Sequence, residues 1–356
     1  MRSFIYAGLP ARVVFGSGTV ASLPQEIERL GCRRALVLST PEQEGPAREI
    51  ASRLGASAAG VFPGAVMHTP VEVSERAVSV AGEIGADCTV ALGGGSTIGL
   101  GKAIALRTDL PQVCIPTTYA GSEMTPIIGE TADGLKTTQR TEKVRPETVI
   151  YDVDLTLTLP PALSATSGMN AIAHAVEALY AQDGNPIISL MAQEAVRALA
   201  QALPQIVADA SDRDARSDAL YGAWLCSACL GSVGIALHHK LCHVLGGTFN
   251  LPHAETHTIV LPHAVAYNAP AAPEAMASLS RALGGGDPAG ALYDLAGRLG
   301  AARALRDIGM PQDGIERASD LALKNPYWNP RPIERDGIRA LIARAWAGDA
   351  PVTGAE

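Results

Sequence analysis

"VALGGGSTIGLGKAIAL", residues 90–106, passes from a β-branched run through three glycines into apolar residues at helical spacing. The stretch therefore predicts a strand, a tight turn and a helix. A helix N-terminus preceded by residues without side chains offers unpaired N–H groups and a positive dipole end, which suits a phosphate. Gly93, Gly94 and Gly95 let the backbone approach a ligand closely, and Ser96 adds a hydroxyl. Two fingerprints fail here. The dinucleotide pattern G-x-G-x-x-G fits Gly93 and Gly95 but demands glycine at Ile98, and the P-loop demands glycine at Ser96 and a hydroxyl at Ala103. On this stretch alone, a turn that binds nothing stays open beside a phosphate cradle.

Working outward, the same alternation recurs. "ARVVFG" (11–16), "RALVLS" (34–39), "CTVALGGG" (88–95), "QVCIPTT" (112–118) and "ETVIYD" (147–152) read as strands. Helical spacing covers 19–31, 43–54, 71–86 and 97–107 between them. Strand–helix alternation implies a mostly parallel sheet covered on both faces. Near "DLTLTLPPALSATSG" (154–168) the pattern changes, and Pro160–Pro161 suits a helix start. Beyond it the helical period dominates, over 161–182, 187–208, 211–232, 235–246, 289–299 and 334–346. The expected organisation is an α/β domain, 1–158, that binds a dinucleotide, and an all-helical substrate and catalytic domain, 159–356.

Composition bounds the partners. A chain of 356 residues is long enough for two domains, and 47% hydrophobic residues can fill two cores. The net charge of −8 gives no general pull toward nucleic acid or an anionic membrane. No window holds the roughly 18 uninterrupted apolar residues of a membrane span. "MRSFIYAGLPARVVFG" lacks the long apolar core of a secretory leader. Six scattered cysteines read as buried thiols in a cytoplasmic protein, and the C-x-x-C of Cys226 and Cys229 reads as helix packing.

Two further polar turns accompany the glycine loop. In parallel sheets, ligands bind at the carboxyl ends of strands. "PTTYAGSEMTP" (116–126) follows one strand, and Thr117 and Thr118 would bring hydroxyls to such an edge; capping a helix is the alternative. "VLSTPEQ" (37–43) ends another, where NAD-specific sites often place an acid against the ribose. Ser39, Thr40 and Pro41 are neutral, so NADPH should be tolerated as well as NADH, with Glu42 close by.

"HHKLCHVLGGTFNLPH", residues 238–253, gathers four of the eight histidines. His239 and His243 share one helix face, as do Asn170 and His174 in "SGMNAIAHAVEALY", and His253 follows Pro252 at a helix or turn start. Helical domains build polar sites from side chains that converge between helices. A metal site, a proton-transfer site and a set of packed histidines all remain open at this point. Packing alone is the expectation for His68, His238 and His263; His257 is undecided.

Together "GGGS", "PTT…GSE", "SGMNAIAHAVEA", "H-x-x-x-H-x-LGG…PH", "LPHAVAYN" and "NPRP" resemble the iron-containing alcohol dehydrogenase family, in order and over nearly the whole chain. "HHKLCHVLGGTFNLPHAETHTIVLPHA" and "NPRPIERDGIRALIARAWAGDAP" are most similar to its maleylacetate reductase branch. The resemblance implies a Rossmann-like nucleotide-binding domain followed by a helical domain, the dehydroquinate synthase-like architecture. Cofactor contacts would fall on Gly94, Gly95, Ser96, Thr117, Thr118 and Ser39, although Gly99 stands where the wider family commonly has an aspartate. The family's metal is held by an aspartate and three histidines; the histidines match His174, His239 and His253, and the aspartate's position is Asn170.

That asparagine has a physical consequence. A divalent cation between helices needs anionic charge to offset its desolvation, and Asn supplies one neutral oxygen. Ferrous iron should suffer most, whereas zinc can live with three histidines and a water. No metal is therefore expected, and the branch implies reduction by NADH or NADPH of a double bond conjugated to a ketone, in maleylacetate, giving 3-oxoadipate. His243 is the leading acid or enolate stabiliser, with His253, His239 and His174 as further donors and Asn170 as a neutral hydrogen-bonding member. Protonated imidazoles, with Lys240, would attract a small dicarboxylate. Tyr327 and Arg331 could reach the pocket or simply terminate a helix. The family also suggests a homodimer. A metal-dependent alcohol dehydrogenase that tolerates Asn170, a non-catalytic NAD-binding sensor and a cyclase using NAD transiently remain as alternatives.

Overall fold

The computed structural model describes Gly8 and residues 11–132, 135–324 and 327–354. These fall into two compact units that divide between Leu159 and Pro160.

The first unit is built on strands β1 (Arg12–Gly16), β2 (Ala35–Leu38), β3 (Ala58–Phe62), β4 (Cys88–Gly93), β5 (Gln112–Pro116), β6 (Ile127–Ala132), β7 (Leu135–Arg140) and β8 (Thr148–Asp152). Six form one sheet in the order β1-β8-β5-β4-β2-β3, with every pair parallel. Helices α1 (Leu23–Arg29), α2 (Glu44–Leu54), α3 (Val71–Glu83) and α4 (Gly95–Thr108) cover it. The period of two along β2 decides which helix meets which residue. Ala35 and Val37 pack with Leu23, Ile27 and Ile50 of α1 and α2, while Leu36 and Leu38 pack with Val73, Leu100 and Ile104 of α3 and α4.

From β2 the chain runs outward to β3, then returns past β2 to β4. That reversal between β2 and β4 is where open α/β sheets bind ligands, at the carboxyl ends of the strands. β3 and the antiparallel hairpin β6–β7 are additions to the five strands expected from sequence. β3, "AAGVF", is a half-buried edge strand whose small residues carry little strand signal.

The second unit contains helices α5 (Pro161–Leu179), α6 (Pro186–Ala208), α7 (Arg213–Ser232), α8 (Leu237–Phe249), α9 (His253–Asn268), α10 (Pro273–Ala282), α11 (Pro288–Arg298), α12 (Gly314–Ala322) and α13 (Arg335–Ala347). α5 starts with Pro161 at its first position and is buried without interruption from Ser164 to Ala178. Such burial needs small residues: a Cβ on Gly168 would lie 2.5 Å from Leu203 Cδ2 of α6. α6 and α7 pack on α5 and on each other, and α9 packs on both α5 and α8. Cys226 and Cys229 are buried within α7, as helix packing predicts, and all six cysteines are free. No single described helix is long and apolar enough to cross a membrane.

Candidate active site

In the α/β unit, the ends of β2, β4 and β5 bring the expected cofactor residues to one edge of the sheet. Gly93 takes φ +149°, and a Cβ there would lie 2.5 Å from Thr97 Oγ1 and 2.7 Å from Gln43 Oε1. The turn is therefore closed to other residues on steric as well as backbone grounds. Gly94 caps α4 with no side-chain hydrogen bond, and a Cβ on it would lie 2.9 Å from Thr118 Cγ2. Gly95 is exposed and Ser96 half-buried, so the first N–H groups of α4 face an open edge. Gln43 Nε2 donates to Thr117 Oγ1 at 3.0 Å, tying the β2 loop to the β5 loop. Ser39 is fully buried, and its Oγ has no hydrogen-bond partner among the described residues. A glycine cradle at a bare helix N-terminus, ringed by hydroxyls, fits a dinucleotide phosphate. Sequence reading missed Gln43, which lies inside the quoted "VLSTPEQ".

In the helical unit, the face of α5 carries Asn170, His174 and Glu177 at i, i+4 and i+7, all at most 5% exposed. Glu177 is the residue that sequence reading overlooked. His239 Nδ1–H donates to its Oε2 at 2.6 Å, and the backbone N–H groups of Ala236 and His238 donate to it at 2.8 and 2.7 Å. The start of α8 has no side-chain cap of its own, so Glu177 supplies one from α5 and meets the positive helix end. Its carboxylate also fixes His239 with the proton on Nδ1, leaving Nε2, which has no hydrogen-bond partner, as the reactive nitrogen. The available signal was a lone acid three residues after His174 in an otherwise apolar helix.

Around His239 the imidazoles form a contiguous set. Its ring centroid lies 5.2 Å from His174, stacked, 5.1 Å from His257 and 6.4 Å from His243. His257 also packs on His253 at 4.3 Å, and its Nδ1 shares a 2.9 Å hydrogen bond with His238 Nε2. His238 and His257 are fully buried, whereas His243 and His253 are exposed. The structure thus brings His174, His239, His243 and His253 together, and adds His238 and His257 to them. His238 is buried, as expected of a packed histidine, and its hydrogen bond to His257 joins it to the imidazole set. His263 lies elsewhere on α9, where burial pushes it down to about 4.

The expectation of protonated, anion-attracting imidazoles is also corrected for His174. Burial, and then the neighbouring charges of His239 and His253, hold it well below the ordinary histidine range. Burial lowers His238 and His257 in the same way. Lys240 is half-buried, with Nζ 5.4 Å above the Tyr327 ring. Arg331 donates to Tyr267 O at 3.2 Å and lies over that ring, and Asn329 Oδ1 accepts from Leu237 N at 3.4 Å. The loop "YWNPRP" therefore braces the ends of α8 and α9.

Comparison with known proteins agrees with this architecture. The iron-containing alcohol dehydrogenase family model matches residues 10–153, and the model of that family's C-terminal part matches residues 164–346. The chain belongs to the iron-containing alcohol dehydrogenase family. It is accordingly an oxidoreductase, and the resemblance drawn from the ordered motifs is borne out. It is 61% identical over 350 residues to the maleylacetate reductase of Sphingobium indicum, covering 98% of this chain and 99% of that one. The crystal structure of maleylacetate reductase from Agrobacterium tumefaciens matches with a TM-score of 0.96 at 57% identity, covering 99% and 100% of the two chains. An iron-containing alcohol dehydrogenase from Corynebacterium glutamicum matches with a TM-score of 0.93 at 43% identity, covering 100% and 98%.

The family implies iron, and the donor set fits it poorly. Asn170 brings a neutral oxygen, and the oxygens of Glu177 are taken up by His239 and two backbone N–H groups. Glu177 nonetheless brings one carboxylate to the site, behind His239. Among the described residues, three ligand atoms come within 4.8 Å of one another at His238, Cys242 and His257 and at Cys32, Asp87 and Cys88, and neither group is the family's set. His257 instead packs against both His239 and His253.

Proposed function

We propose that this chain reduces the carbon–carbon double bond of maleylacetate with NADH or NADPH, giving 3-oxoadipate, and that it needs no metal. The observation that carries the reading is the Glu177–His239 pair, a carboxylate-oriented imidazole whose Nε2 is free to act on a ligand. Full-length relatives named maleylacetate reductase support the substrate. The glycine cradle on α4 supports the cofactor, and the neutral Ser39–Pro41 loop supports use of both nicotinamide dinucleotides.

The bound nicotinamide supplies a hydride to the β-carbon of the enone. Negative charge then moves to the ketone oxygen, where a hydrogen-bond donor lowers the barrier. Glu177 holds the His239 ring by its Nδ1, so that Nε2 is oriented to donate to that oxygen and then deliver a proton to the α-carbon. This places the acid on His239 rather than on His243. His243, exposed one turn along α8, exchanges protons with solvent, and His253 adds a donor beside His257. Asn170 and neutral His174 line the pocket without adding charge, which spares a doubly anionic substrate from repulsion. Lys240, rather than His174, supplies positive charge for a carboxylate.

The proposal extends to a homodimer in the cytoplasm, where six buried free thiols stay reduced. NADH oxidation with maleylacetate, beside elemental analysis of the same active preparation, tests it. Turnover with less than one metal ion per several chains is expected. Activity lost to a chelator and restored by iron or zinc would instead favour a metal-dependent alcohol dehydrogenase.

A further inference from the structure

We propose that His238, Cys242 and His257 form a site for one soft, thiophilic cation, best matched by copper(I) and separate from the residues at which the family's iron would be implied. His238 and Cys242 stand four apart on α8, and His257 reaches them from α9. Cys242 Sγ lies 3.7 Å from His238 Nε2, which lies 2.9 Å from His257 Nδ1, and one ligand atom from each residue falls within 4.8 Å of the others. All three residues are at most 2% exposed. Metal–nitrogen bonds of about 2.0–2.1 Å and a metal–sulfur bond of about 2.3 Å place bound N and S roughly 3.6–3.8 Å apart, and the two nitrogens roughly 3.4–3.6 Å apart. The sulfur and nitrogen of α8 already meet that requirement. The two rings need to part by roughly half an ångström, exchanging their shared hydrogen bond for two metal bonds.

The supports are rigid. Glu177 holds the backbone N–H of His238, and Leu241, Leu245, Val260 and Ala264 knit α8 to α9 in one core. His238 Nδ1 and His257 Nε2 are buried with no hydrogen-bond partner among the described residues, and they would carry the N–H groups when the opposite ring atoms bind a cation. Charge selects the ion. Binding converts S–H to an S–Cu bond and releases one proton to solvent, with no change of oxidation state. Thiolate and copper(I) sum to zero, so no net charge is buried, whereas a divalent ion leaves one positive charge in a dry site. Thiolate and imidazole donors also favour copper(I) on softness.

The test does not depend on the reductase reading. Full-length protein with reduced thiols, stripped by chelator, is titrated anaerobically with copper(I) against a chromophoric copper(I) chelator, and separately with cobalt(II) and zinc(II). One copper(I) per chain, one proton released, and an ultraviolet thiolate-to-copper(I) charge-transfer band are expected from the wild-type protein, which no folding defect can obscure. Cys242→Ser should weaken copper(I) binding by about 10–100-fold or more, and His253→Ala should leave it unchanged. The proposal is overturned if the wild type binds no stoichiometric copper(I), or shows no charge-transfer band. It is overturned equally if binding survives Cys242→Ser but is lost in His253→Ala, or if zinc(II) binds more tightly than copper(I).

Discussion

Glu177→Gln isolates the group that joins the start of α8 to the reactive imidazole. The carboxylate accepts from His239 Nδ1, Ala236 N and His238 N at 2.6, 2.8 and 2.7 Å, and is 1% exposed. A glutamine keeps one acceptor oxygen and turns its NH2 toward a donor. Hydrogen bonds to a charged group contribute about 1.5–3 kcal/mol each, and a charge at a helix start about 0.3–1 kcal/mol. With partial relaxation, we expect the helical unit to lose about 4 kcal/mol, below the roughly 5–15 kcal/mol of a typical domain, so the variant folds at 25 °C. At about 2–4 °C per kcal/mol, its melting temperature should fall by roughly 8–16 °C. Loss of the carboxylate that orients His239 should also lower kcat with maleylacetate by about 10²–10⁴-fold. Calorimetry gives the first number and steady-state NADH oxidation at 25 °C the second, while a fluorescence titration should find dinucleotide affinity unchanged. Wild-type melting would refute the capping argument. A lowered melting temperature with wild-type kcat would refute the assignment of His239 as the acid while leaving the cap intact.

Other perturbations address separate links. Asn170→Asp should raise the iron or zinc bound per chain, measured by elemental analysis, and depress reductase turnover; no change in either would count against the charge argument. Gly94→Ala, whose methyl would lie 2.9 Å from Thr118 Cγ2, should weaken NADH binding by about 5–150-fold, from an overpacking cost of about 1–3 kcal/mol. NADPH should support turnover within about tenfold of NADH, because no acid stands at Ser39–Pro41 to repel a 2′-phosphate; strict NADH specificity would point to Glu42. Stability should decline with acid: His263 sits near 4 when folded against 6.5 unfolded, so between those values the unfolded chain binds the extra proton and stability falls as pH falls. The slope is about 1.4 kcal/mol per pH unit for this one group. A urea midpoint that stayed flat from pH 6.5 to 4.5, or that changed equally in His263→Leu, would dispose of it.

The fold was legible where periodicity is strong. β2, β4, β5 and β8 are β-branched runs buried on both faces, and their glycine and threonine loops follow directly from them. β3 escaped notice because an edge strand of Ala and Gly looks like a loop, and β6–β7 because a half-exposed hairpin carries charged and small residues. α9 was hidden for the opposite reason. Every residue from Thr256 to Asn268 is buried, so no polar face marks the helical period, and Pro262 in its interior reads as a break. That omission had a consequence at the site, since His257 becomes part of the imidazole set only once α9 is known to continue past His253.

Glu177 was obscured by a different property. Asn170 and His174 stand out because the family's ligand pattern falls on them, but spacing along α5 cannot reveal that α8 begins against that face of the helix. Only the tertiary pairing shows that a carboxylate lost at position 170 has a counterpart one turn beyond His174. That counterpart changes the physics of the site. Burial drives His174 toward the uncharged form, so that ring brings no positive charge to the pocket. A carboxylate at 2.6 Å fixes the orientation and tautomer of one ring, His239. The asparagine therefore need not make the pocket cationic. It removes the anion that would have held a metal, while the anion that remains, Glu177, is committed to orienting His239 and capping α8.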